Sequence, residues 1–155
     1  MSFTSIQSLQ TLLEHAQAQR DESLRLLQEA QTRARQAQDQ QDQLRQYQQE
    51  YQQRWSTQFR QPATVQLVGC YQSFGLRLNQ AIDQQQHIAG YAEQRLKAAR
   101  QRVQEQEMRV ASIRKLIEHR QLDIQRRNDR VEQRLADEHA ARSMARAVPF
   151  AGARL

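Results

Sequence analysis

Four glycines and two prolines in 155 residues leave this chain almost without turn chemistry. Greek-key sandwiches and doubly wound α/β folds need frequent turns, so both are excluded. Aromatic residues reach 6% and apolar residues 38%, too few side chains for a compact layered core. The one cysteine, Cys70, cannot close an internal disulfide and has no neighbour at metal-ligand spacing. No stretch approaches the ~18 apolar residues of a membrane span. The opening MSFTSIQSLQ lacks a basic segment followed by an apolar run. These absences predict a cytoplasmic chain in a reducing compartment. His15, His87, His119 and His139 stand singly, without a Glu-x-x-His or an i, i+4 pair. There is no glycine-rich phosphate loop and no G-x-S-x-G element. The expectation is a protein that is not an enzyme, with no catalytic residue, cofactor, metal or small-molecule substrate.

What fills the chain is helix-forming. Glutamine supplies about a fifth of it, and Ala, Glu, Arg and Leu most of the rest. Small or apolar residues recur at alternating spacings of three and four: Ile6, Leu9, Leu13, Ala16, Arg20, Ser23, Leu27, Ala30, Ala34, Ala37, Gln41, Leu44, Gln48, Tyr51 and Trp55. A period of 3.5 sustained this long specifies a left-handed coiled coil. Thr4 and Gln7 match a capping box, which starts helix 1 near residue 4 and carries it to about 60. Pro62 turns the chain at about 60–65, and Thr64 offers a restart. Helix 2 then runs from about 65 to 146. Its series is Tyr71, Phe74, Leu78, Ala81, Gln85, Ile88, Ala92, Leu96, Ala99, Val103, Gln106, Val110, Ile113, Ile117, Arg120, Ile124, Asn128, Val131 and Leu135. Stutters are expected at 88–92–96 and 120–124–128, and a flexible tail over 147–155 with Pro149 and Gly152.

The fold class is therefore all-α: a single-domain antiparallel two-helix coiled-coil hairpin with a C-terminal helical overhang. Folding at the turn sets Ala30, Ala34 and Ala37 opposite Ala92, Leu96 and Ala99, a narrow waist. It sets Ile6, Leu9 and Leu13 opposite Leu116, Ile117 and Ile113. Helix 1 runs out of partner near residue 124, which leaves helix 2 overhanging by about 30 Å. A lone helix in water is poorly stable, so the overhang calls for a partner.

Charge is uneven. Up to residue 60 acids and bases balance, so the net +6 lies beyond the turn. Arg95, Lys97, Arg100 and Arg102 form one basic run, and Arg126, Arg127, Arg130 and Arg134 another on the overhang. An acidic protein surface suits these runs better than nucleic acid. Aromatic interleaving is absent, lysine is almost unused, and Asp123, Asp129 and Glu132 interrupt the second run. The aromatics Tyr47, Tyr51, Trp55, Phe59, Tyr71 and Phe74 gather near the turn. Some seal the tip, but Tyr47 lies off the seam series and is expected to be exposed, a binding surface on a thin scaffold.

Three stretches carry a resemblance: "LRQYQQEYQQRW" before the turn, "YQSFGLRLNQAIDQQQ" after it, and "DEHAARSMARAVPF" near the end. Together they resemble the FliJ family of flagellar export proteins, whose injectisome counterparts share the architecture. The resemblance implies a stalk-like hairpin whose paired termini and overhang enter the ring of the hexameric export ATPase FliI. The hairpin half would contact the export-gate membrane protein FlhA, and the family also handles export chaperones. Location would be cytoplasmic, meeting the inner membrane only peripherally, through the gate at the flagellar base. The gate-contacting patch maps onto Gln40, Leu44, Tyr47, Tyr51, Phe74, Leu78, Ala81 and Gln85, the last standing where the family pattern usually has histidine. ATPase contact is assigned to Arg126, Arg127, Arg130 and Arg134, whose planar forks suit carboxylates and backbone carbonyls.

Overall fold

A computed structural model describes residues 2–147 of the chain, with side chains from Ser5 onward. Two helices account for these residues, α1 (Ser2–Gln58) and α2 (Val65–Ala147), joined by a turn over 59–64. The fold is an all-α helical hairpin. Neither proline nor glycine interrupts α1, and its strong helix formers carry it without a break. At its end the Phe59 N–H still donates to the Trp55 carbonyl at 2.9 Å and Gln61 to Gln58 at 3.2 Å. Pro62 then removes the next donor and ends the ladder. Thr64 opens α2: its carbonyl accepts from Leu67 and Val68 at 3.1 and 3.2 Å, and its Oγ1 lies 3.4 Å from the Leu67 nitrogen. That is an N-cap. The expected cap at Thr4 is corrected, because α1 is already helical at Ser2 and Thr4 lies within its first turn. The expected tail, with Pro149 and Gly152, lies outside the described residues, and α2 extends through Ala147.

Residues 18–108 form one compact unit containing the turn. On α1, Ser23, Ala37 and Gln41 are buried, and each remaining position of the heptad series from Arg20 to Trp55 is at least half-buried. On α2, Leu78, Gln85, Leu96 and Val103 are buried. Two expected seam positions are corrected. Phe74 and Ile88 remain 39% and 49% exposed, while Gly75 and Ala89 beside them turn inward. The stutter expected at 88–92–96 is accordingly absent. Apolarity favours Phe74 and Ile88, but an unbroken three–four alternation sends the inward direction to 75 and 89. Backbone periodicity wins over side-chain size here. Polar pins fix the pairing: Gln48 donates to Asn79 at 2.6 Å, and Gln85 donates to the Ala37 carbonyl at 3.1 Å and to Gln40 Oε1 at 3.2 Å.

Among the described residues, the second unit combines residues 2–17 and 109–147. Its core is Ala16, Val110, Ile113 and Ile117, with Leu9 and Leu13 packed against it. Leu116, expected to face α1, is instead 51% exposed. One residue back from Ile117 is about 100° round the helix, which takes Leu116 off the seam. Arg120 donates to Ser5 Oγ at 3.2 Å. Ile124 is half-buried, and from 125 to 147 each α2 residue is exposed. Asn128, Val131 and Leu135 thus have no seam to occupy, and the expected stutter at 120–124–128 has no packed stretch to unwind.

Candidate partner-binding surfaces

Near the turn, the heptad spacing stacks the aromatic side chains into a continuous ladder. Tyr51 is its centre: half-buried, it lies 4.7 Å from Phe74, 5.3 Å from Tyr71 with nearly parallel rings, and 6.0 Å from Trp55, centroid to centroid. Phe59 closes the ladder against Trp55 and Tyr71, each at 5.3 Å. The Tyr51 hydroxyl donates to the Tyr71 carbonyl at 3.2 Å. Burial among these rings pushes its pKa above the ordinary tyrosine value, with the neighbouring tyrosine hydroxyls adding to the rise. Tyr47 sits at the outer end, edge-on to Phe74 at 6.3 Å and 49% exposed.

The eight positions assigned to gate contact therefore divide. Gln40, Tyr47 and Phe74 present side-chain surface to solvent. Leu44, Tyr51 and Ala81 are half-buried, and Leu78 and Gln85 are seam residues. Leu78 and Gln85 act on this surface from beneath, Gln85 by holding Gln40. A groove flanks the exposed group, lined by Tyr47, Trp55, Phe74, Arg77 and the exposed Cys70.

In the other unit, Arg126, Arg127, Arg130 and Arg134 are exposed on unpaired helix. Among the described residues none of the four meets a carboxylate within ion-pair distance. Their spacing borders Val131 and Leu135, which are exposed and one turn apart. The arrangement is a short apolar strip flanked by guanidinium groups. It can lie against a surface offering both carboxylates and apolar contact.

Two features escaped the sequence reading. Tyr91 is 63% exposed, and the Arg95 guanidinium stands 5.3 Å from its ring centroid, a cation–π contact between residues four apart. That spacing was the available signal. Arg25 reaches both Glu22 and Glu29, and its hydrogen bond holds the Glu22 carboxyl below the usual range. Among the described residues no group of His, Cys, Asp and Glu could hold a metal ion, and no helix is long and apolar enough to cross a membrane.

A family model described as flagellar FliJ protein matches residues 5–148 of the chain. No curated protein and no solved structure matches it.

Proposed function

The chain belongs to the flagellar FliJ protein family, and from that premise we propose that it is the stalk and escort component of flagellar protein export. Membership makes it a component of the export apparatus; the partners and their sites are the proposal. The overhang binds the ring of the export ATPase FliI. The aromatic surface near the turn binds the export gate FlhA, and the hairpin also receives export chaperones. The chain catalyses no reaction itself. It biases assembly and turnover of the ATPase and engages the gate from the cytoplasmic face of the membrane.

One observation carries this reading: α2 continues as helix from 125 to 147 with each residue exposed. Helix stability in proteins comes mostly from packing one face on something else. A segment that keeps its helix with Val131, Leu135 and four arginines outward is fitted to a socket supplied by another protein. A ring of identical subunits presents repeated acceptors to an asymmetric helix, and arginine's planar fork suits carboxylates and carbonyls.

The test is retention of the purified ATPase by the full chain at low salt. Replacing Arg126, Arg127, Arg130 and Arg134 together by alanine is expected to abolish retention and the stimulation of ATP hydrolysis. Unchanged retention would remove these arginines from the contact. Tyr47→Ala with Phe74→Ala is expected to weaken binding to the gate's cytoplasmic part while circular dichroism keeps the helical signal. Loss of that signal would mean that the two rings only seal the tip.

A further inference from the structure

The waist of the 18–108 unit carries a second surface, which adjoins the proposed gate contact and shares Gln40 with it. Its floor is alanine: Ala30 and Ala37 from α1, Ala92 and Ala99 from α2. Side chains this small fill the seam but build no shoulder above it, so the larger residues on either side stand proud. Leu26 forms one wall at 42% exposure, and Ile88 and Tyr91 the other. The inward turn of Ala89 is what leaves Ile88 on this wall. The result is a trough with an apolar floor and apolar walls, running along the two helices.

Its rim is cationic. Arg33 borders it from α1 and Arg95 from α2, the latter held over the Tyr91 ring. Neither pairs with a carboxylate among the described residues. The one acid on the rim, Glu29, has its carboxylate engaged by Arg25. An apolar trough between two helices has the shape that a third amphipathic helix fills, and charge complementarity selects the sign of that helix's flanks. A second copy of this chain is a poor occupant. Two such faces brought together by a two-fold axis would set Arg33 and Arg95 against arginines of the same face.

We propose that this trough is a docking site for an acidic amphipathic helix of a partner protein, which completes a local three-helix bundle. Its apolar face lies on the alanine floor between Leu26 and Tyr91, and its carboxylates meet Arg33 and Arg95. The residues that carry this docking, Leu26, Arg33, Tyr91 and Arg95, belong to neither the ATPase nor the gate contact, so the proposal stands if either of those fails.

The probe is a designed, fluorescently labelled helical peptide with leucines along one face and glutamates flanking them, titrated with the full chain. Saturable binding by anisotropy is expected. Binding weakens about tenfold or more, on the order of 1.4 kcal/mol, for a peptide with the leucines scattered and for one with lysine in place of glutamate. The same loss is expected for the chain variants Tyr91→Ala and Arg33→Glu with Arg95→Glu, all at exposed positions, with helicity unchanged. Arg126→Glu on the overhang leaves binding intact. Equal binding of the scattered or lysine peptide, absence of saturable binding, or loss that follows Arg126→Glu instead would each overturn the proposal. So would sedimentation showing a dimer of the full chain that Tyr91→Glu disperses, because a second copy would then own the trough.

Discussion

Within the seam, Gln85 commits its amide to the Ala37 carbonyl and to Gln40, whereas the Gln106 amide oxygen is enclosed and has no hydrogen-bond partner among the described residues. A satisfied buried amide gives about 1 kcal/mol and fixes register, and an enclosed unpaired acceptor costs a similar amount or more. The two glutamines therefore respond oppositely. Gln106→Leu is expected to raise stability by about 1 kcal/mol, and Gln85→Ala to lower it by about 1–2 kcal/mol, both read from urea unfolding. Equal responses would mean that hydrogen bonding does not separate the two sites. Tyr51 supplies a pH signature. Its pKa is raised in the folded chain, so folding favours the neutral phenol. That contribution is complete below about pH 10 and is lost as pH climbs from there through the folded value. Stability is expected to fall above about pH 10, with one tyrosine ionising late in an ultraviolet titration. Tyr51→Phe is expected to remove the late step.

Along each helix, the spacing of small and apolar residues specifies which face turns inward, because a 3.5-residue repeat is a property of the backbone and is visible in sequence. The α1 series from Ile6 to Trp55 agrees with the burial at each step. Single-residue slips on α2 could not be read the same way. At Phe74 and Ile88 the sequence offers a large apolar residue next to a small one, and hydrophobicity prefers the large. The seam takes Gly75 and Ala89, because the alternation already runs through them. The exposure of Tyr47 was readable from its place off the series, and so was the waist of facing alanines; the trough above it was not, since its wall depends on Ile88 standing outside the seam at 49% exposure. Leu116 shows the same limit in the other unit, and a comparison there tests the seam directly. Ile113→Ala is expected to lower stability by about 2–4 kcal/mol, since Ile113 is buried against Leu9, Leu13 and Ala16. Leu116→Ala is expected to change it by less than about 0.5 kcal/mol. Comparable losses on thermal or urea unfolding would place Leu116 in the core after all.

At the scale of the whole chain, stability and binding draw on different residues. Among the described residues the buried side chains all lie between Ala16 and Ile117, while the arginines assigned to the ATPase lie beyond Ile124. A chain stopped after Gln125 is thus expected to keep its melting temperature within about 2 °C, because the deleted described residues are all exposed. It is expected to lose retention of the ATPase while its binding to the gate persists. The stop also removes residues 148–155, so a full-length variant, Val131→Asp with Leu135→Asp, separates the overhang from that tail. If the overhang's apolar strip enters the socket, the double aspartate loses ATPase retention as the truncation does. If only the guanidinium groups matter, the double aspartate keeps some retention at low salt and loses it steeply as the Debye length shortens toward about 8 Å. A lowered melting temperature in the truncated chain would instead mean that the overhang packs on the hairpin, and the exposed helix would cease to be an argument for a socket.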